Sequence, residues 1–253
     1  MTPLAAEETG TAGGPLVVLI HGTMDRMAGM AKLARRLDGD CRVVRYDRRG
    51  YGASAPHPGP FGMPRQVDDL LSLVADRPCV LVGHSYGGNV ALAAAGRRPD
   101  LVLAVAVYET PLSWMPWWPG TTAGSDAVAT RGRPEDAAER FMRRIIGDEL
   151  WERLPERTKE ARRDEGVAMV GELTDLREHP PWSPEEIDCP VISGRGDRGA
   201  EHHAASAEWI ASAVADGTRV TLTDCTHGAH ASDPDQFEAR LVRPALAVAG
   251  STG

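Results

Sequence analysis

Short, unbroken apolar runs recur along this chain, with room for a helix between each pair. Leu16-Val17-Val18-Leu19-Ile20 shows no polar alternation, as expected of a strand covered on both faces. Met27, Met30, Leu33, Ala34 and Leu37 follow at helical spacing, and residues 41–46 read as a second strand. Pro64 can open a helix with Val67, Leu70, Leu71 and Val74 on its apolar side. Strand 79–82, helix 86–96 and strand 101–107 come next. The alternation stops at Thr110 and resumes with strand 190–193, helix 204–215 and strand 219–223. A closing helix over 233–247 has Ser232 or Asp233 as its N-cap. This alternation predicts an α/β fold: a mostly parallel sheet with helices on both faces, and ligands at the C-terminal strand ends.

The interruption differs from the rest of the chain. It carries five of the six tryptophans: Trp114, Trp117, Trp118, Trp151 and Trp182. Residues 133–154 read as helix, and 155–176 hold one or two more. Segment 111–184 is therefore expected as a helical insertion between two pieces of one core, 1–110 and 185–253. Residues 1–14 read as a loose leader.

Composition narrows the function classes. A net charge of −8 disfavours nucleic acid and anionic membrane as partners. Cys41, Cys79, Cys189 and Cys225 lie at or near strand ends and form no C-x-x-C pair, which suggests buried reduced thiols rather than a metal site. The first 14 residues lack the basic and apolar stretches of a secretory signal, and no apolar run is long enough to span a bilayer. The expectation is a cytoplasmic protein, a monomer or weak homodimer, acting on a small molecule with no cofactor and no metal.

The chemistry concentrates at Gly83-His84-Ser85-Tyr86-Gly87-Gly88, between a buried-type strand and a helix-prone run. G-x-S-x-G in that context makes a sharp turn that holds the serine alone above the sheet. The glycines let neighbouring chain pass close to the turn. A serine hydroxyl needs a base and a group that orients the base. His227, just after the last strand, is the expected base, with His230 as its rival. The orienting acid is expected to be Asp197, after strand 190–193, which fits the chain order Ser…Asp…His; Glu109, after strand 101–107, is the alternative. The backbone N–H groups of Thr23 and Tyr86 are the expected oxyanion donors.

Taken together, these segments resemble the α/β-hydrolase superfamily. The matching pieces are His21-Gly22-Thr23, Asp47-Arg48-Arg49-Gly50-Tyr51-Gly52-Ala53-Ser54, the turn around Ser85, Gly194-x-x-Asp197, and His227 seven residues before Pro234. The resemblance implies the α/β-hydrolase fold and makes segment 111–184 a helical cap over the site. It gives Asp47 to Gly50, His21 and His84 framework roles. The short N-terminus leaves little room for the usual leading hairpin, so about six strands are expected.

The reading that follows is a serine hydrolase forming an acyl-enzyme on Ser85 from a small-to-medium ester, lactone, thioester or amide. Two alternatives remain: a lyase or cofactor-free perhydrolase or haloperoxidase-like enzyme, and a ligand receptor with a slow triad. A serine nucleophile argues against epoxide hydrolase and haloalkane dehalogenase chemistry. Trp114 and Trp117 are candidates for an apolar substrate wall, although burial of the cap explains them equally well. Arg131, Arg133, Arg140, Arg143 and Arg144 read as a solvated helical face rather than an anion clamp.

Overall fold

The computed structural model describes residues 3–250. Strands β1 (Ala6–Gly10), β2 (Leu16–Ile20), β3 (Arg42–Tyr46), β4 (Cys79–His84), β5 (Val102–Tyr108), β6 (Val191–Gly196) and β7 (Gly217–Leu222) form one sheet, in the order β1-β3-β2-β4-β5-β6-β7. All neighbours pair in parallel except β1 and β3.

The central strands are buried on both faces, and β2 shows how. Leu16, Val18 and Ile20 join one apolar cluster, with α2 (Met63–Val74), α3 (Tyr86–Arg97) and Ile210 of a later helix. Val17 and Leu19 join the other, with α1 (Ala31–Leu37) and the C-terminal helices. The period of two along a strand sends successive side chains to opposite layers.

The sheet has seven strands, not about six, because part of the expected leader is β1. Its five residues are all exposed, so no hydrophobic period marks them. They are held by pairing to β3 and by charge: Glu7 pairs with Arg45, and Glu8 with Arg42 and Arg77. Residues 1–2 of the expected leader lie outside the described residues.

Between β5 and β6 the chain forms α4 (Ala123–Ala129), α5 (Pro134–Ile146), α6 (Asp148–Arg153), α7 (Glu156–Asp164) and α8 (Gly166–Glu178). The single helix expected over 133–154 is broken at Gly147, whose φ of 83° no helix continues. The chain closes with α9 (Glu201–Ala213), α10 (Ala229–Ser232), α11 (Pro234–Phe237) and α12 (Arg243–Ala249). A π-helical turn at Glu238–Val242 interrupts the expected closing helix just before Pro244, which has no N–H to continue the ladder. No described helix is long and apolar enough to cross a membrane.

Candidate active site

Ser85 sits between β4 and α3 at φ 53° and ψ −124°, backbone that a side chain rarely adopts. The surroundings over-determine it. Its N–H donates to Tyr108 O at 2.9 Å, and its carbonyl accepts from Gly88 N–H at 2.9 Å. A Cβ on Gly83 would fall 2.5 Å from Gly87 O, and one on Gly87 would fall 2.3 Å from Ile20 O. Both contacts are with backbone, so only glycine fits at either position.

His227 follows β7, on a loop pinned at three successive residues. Cys225 N–H donates to Asp197 Oδ1 at 3.3 Å, Tyr108 Oη donates to Thr226 O at 2.9 Å, and His84 Nε2 donates to His227 O at 2.8 Å. The ring is held separately. Its Nδ1 lies 2.8 Å from Glu109 Oε2. The other oxygen, Glu109 Oε1, accepts from Gly196 N–H at 3.0 Å, and a Cβ on Gly199 would fall 2.2 Å from it.

The ring contact expected of Asp197 is therefore made by Glu109, while Asp197 braces the loop backbone. Topology explains the exchange. β5 lies directly beside β4, whereas β6 lies one strand further away. The residue just past β5 is thus the one that meets a histidine reaching toward Ser85. Glu109 itself has φ 47°, a turn that directs its carboxylate across the end of β6.

Ser85, Glu109 and His227 line one cavity of about 410 Å³, together with Thr23, Trp118, Phe141, Leu173, Leu176, Arg177 and His203. That volume lies in the range of small-molecule sites. Tyr86 opens α3, where helix geometry leaves the first N–H groups without an intrahelical acceptor. Thr23 Oγ1 donates to Glu172 Oε1 at 2.7 Å.

Trp114 and Trp117 are absent from the wall of this cavity. Trp114 packs edge-on against Trp182, 5.9 Å between ring centres, and Trp117 is 40% exposed. Trp118 lines the cavity instead, 4.7 Å from the His202 ring. His230 lies 3.3 Å from Asp25 and packs against His84 rather than against Glu109.

The helices between β5 and β6 reach this end of the sheet through carboxylates. Glu172 of α8 accepts from both Nη atoms of Arg48, at 2.6 and 3.1 Å, and from Tyr51 Oη at 2.8 Å. Arg48 and Glu172 are both fully buried. Burial opposes the Arg48 charge, but the Glu172 carboxylate outweighs it and the pKa is raised. Glu165 accepts from Arg26 at 2.7 Å and from Gly52 N–H at 2.8 Å. His21 Nδ1 donates to Gly22 O at 2.7 Å while its Nε2 accepts from Arg48 N–H at 2.9 Å, fixing the loop that carries Thr23.

Several histidines here are held neutral. Burial, then the Arg48 charge, pushes His21 down to about 3. Burial pushes His84 and His203 well below the usual histidine range, with the neighbouring His230 and His227 charges adding in the first case and His227 in the second. Among the described residues, two donor groups have a spacing that a cation could bridge: Glu109, His203 and His227, and separately Asp25, His84 and His230. The first shares the Glu109–His227 pair. All four cysteines are free and buried, and burial pushes the Cys41 and Cys189 thiols up to about 11.

A family profile described as the alpha/beta hydrolase family matches residues 17–240. The chain belongs to that family. It is 28% identical over 174 residues to an sn-1-specific diacylglycerol lipase of Mus musculus, covering 67% of this chain and 51% of that protein. It is 32% identical over 107 residues to epoxide hydrolase 4 of Mus musculus, covering 40% of this chain and 30% of that protein. The chain thus spans about half the length of the first of these relatives and under a third of the second. The enol-lactonase of Burkholderia xenovorans LB400 superposes with a TM-score of 0.74 at 25% identity, covering 96% of each chain. The α/β-hydrolase fold expected from the motifs is the fold present.

Proposed function

We propose that this family member is a serine hydrolase that cleaves a small-to-medium ester, lactone, thioester or amide through an acyl-enzyme on Ser85. The observation that carries this reading is the 2.8 Å contact between His227 Nδ1 and Glu109 Oε2, at the rim of a cavity that Ser85 also lines. With Nδ1–H donated to a carboxylate, Nε2 is the nitrogen left to act as base.

Ser85 Oγ attacks the substrate carbonyl as its proton passes to His227 Nε2. The oxyanion is stabilised by the Tyr86 and Thr23 N–H groups, and Glu109 stabilises the imidazolium. His227 then returns the proton to the leaving oxygen, sulfur or nitrogen, leaving an ester on Ser85. Water, deprotonated by the same nitrogen, attacks that ester and releases the acid and the free serine.

The nucleophile favours acyl transfer over the epoxide opening named for one relative. Attack by a serine on an epoxide carbon would leave an ether, which water does not cleave, so the enzyme could not turn over. An ester on serine does hydrolyse. The test is pre-steady-state kinetics with nitrophenyl acyl esters. A burst of nitrophenol stoichiometric with enzyme, absent in Ser85→Ala, is expected; wild-type protein that releases no nitrophenol above the Ser85→Ala background would refute the reading.

A further inference from the structure

Arg177, on α8, stands in the cavity wall without an acid. Its Nη1 donates to Leu173 O at 3.1 Å, and its Nη2 donates to Ser125 Oγ at 3.2 Å and reaches Thr122 Oγ1 at 3.5 Å. Among the described residues no carboxylate lies within ion-pair distance of it. Asp175, two residues earlier, accepts from Met63 N–H at 2.7 Å, and Glu178 is exposed. Arg144 and Arg198 line the same cavity, but each already has a carboxylate, Asp126 and Asp224 respectively.

The surroundings make this isolation costly. Leu173, Leu176, Phe141 and Trp118 share the wall, and burial holds the Arg177 pKa below the usual arginine range with no neighbouring acid to oppose it. A guanidinium has five N–H groups, and three neutral acceptors cannot use them all. The Ser113 hydroxyl, in the same wall, is buried with no hydrogen-bond partner. A cation without an acid and an unpartnered hydroxyl, in the cavity that a candidate nucleophile also lines, are what a site for a negatively charged ligand group requires.

We propose that Arg177 is a specificity-determining residue that pairs with an anionic group on the substrate, so that the preferred substrates are esters, lactones or amides bearing a free carboxylate away from the scissile carbonyl. This deepens the acyl-transfer reading and rests on it. A neutral substrate expels water and leaves the guanidinium unpaired. A carboxylate replaces that water with a planar acceptor matching the fork of donors. Discrimination of this kind, where a buried polar group of the site is left empty by the wrong ligand, is stronger than discrimination by shape alone.

The test uses binding, so it does not depend on turnover. Ser85→Ala protein is titrated by calorimetry with the monomethyl and dimethyl esters of succinate, glutarate, adipate and suberate. At the chain length that spans the cavity, the monoester is expected to bind about tenfold more tightly than the diester. The ratio is expected to fall to within about twofold in Arg177→Gln and to return in part in Arg177→Lys. On folded Ser85→Ala protein with Arg177 intact, the monoester alone is expected to protect Arg177 from phenylglyoxal, read by peptide mass. Equal binding of the two series, absence of monoester binding, a preference unchanged in Arg177→Gln, or protection by both esters alike would each overturn the proposal. Failure of the acyl-enzyme reading would show instead as absent turnover in wild-type protein, with these binding ratios unaffected.

Discussion

Glu109 Oε2 lies 2.8 Å from His227 Nδ1, while Asp197 reaches only the backbone N–H of Cys225, two residues before that histidine. Two carboxylates thus act on one histidine in different ways: one sets the ring's tautomer and the other steadies its loop. Glu109→Gln should lower kcat on a nitrophenyl ester about 10³–10⁴-fold, because the amide can hold the ring in the wrong tautomer. Asp197→Asn should cost less than about tenfold, since the amide Oδ1 can still accept from Cys225 N–H and only the charge is lost. Steady-state kinetics of the two variants side by side check this, and the reverse ranking would return the acid role to Asp197.

The Arg48–Glu172 pair joins α8 to the loop after β3 with both partners out of solvent. Removing one partner leaves a buried charge uncompensated. Glu172→Ala should therefore lower unfolding free energy by about 3–5 kcal/mol, read from urea midpoints, whereas replacing both residues with apolar ones should cost less. Similar losses in the single and double variants would show that the charge balance is not what matters there.

Stability should fall as pH drops below 6.5. His21, His84 and His203 have folded-state pKa values depressed from 6.5, to about 3 for His21. Between those limits the unfolded chain binds more protons than the folded one. The stability from keeping these rings neutral is therefore complete above pH 6.5 and is lost progressively as pH falls below it, toward about 3 for His21. At pH 5 His21 alone should cost about 2 kcal/mol relative to pH 7, with His84 and His203 acting in the same direction. Urea unfolding across pH 7 to 5 measures the slope, and a flat profile would contradict the burial of these rings.

The turn at Ser85 depends on space as well as torsion. Gly87→Ala would place a Cβ 2.3 Å from Ile20 O, at the end of β2, and 2.7 Å from His21 O, which already accepts from Arg48 Nε. Loss of soluble folded protein, or a fall in thermal midpoint of many degrees, is expected. A variant with unchanged midpoint would mean that the turn can relax.

What the sequence made legible follows from what leaves a local mark. The buried strands, the turn at Ser85 and the position of His227 each carry a continuous apolar run or a glycine pattern. β1 left no such mark, because its five residues are all exposed, carry no apolar alternation and are held by partners about thirty to seventy positions away. The ring partner of His227 depends on strand order, which the chain does not spell out locally: Ser…Asp…His pointed to Asp197, but the strand beside β4 ends at Glu109. Trp118 was indistinguishable from Trp117 by type or spacing, and only the fold separates an exposed ring from one in the cavity. Arg177 carried no signal, since an arginine without an acid can be recognised only once its neighbours are known.

Whether Ser85 is an activated nucleophile is read directly by a fluorophosphonate probe. Intact mass should show one adduct per chain on folded protein, peptide mapping should place it on Ser85, and His227→Ala should slow its formation by at least about 10³-fold. Folded protein that forms no adduct, or forms it at the same rate without His227, would contradict the assignment of Ser85 and His227 as a working pair.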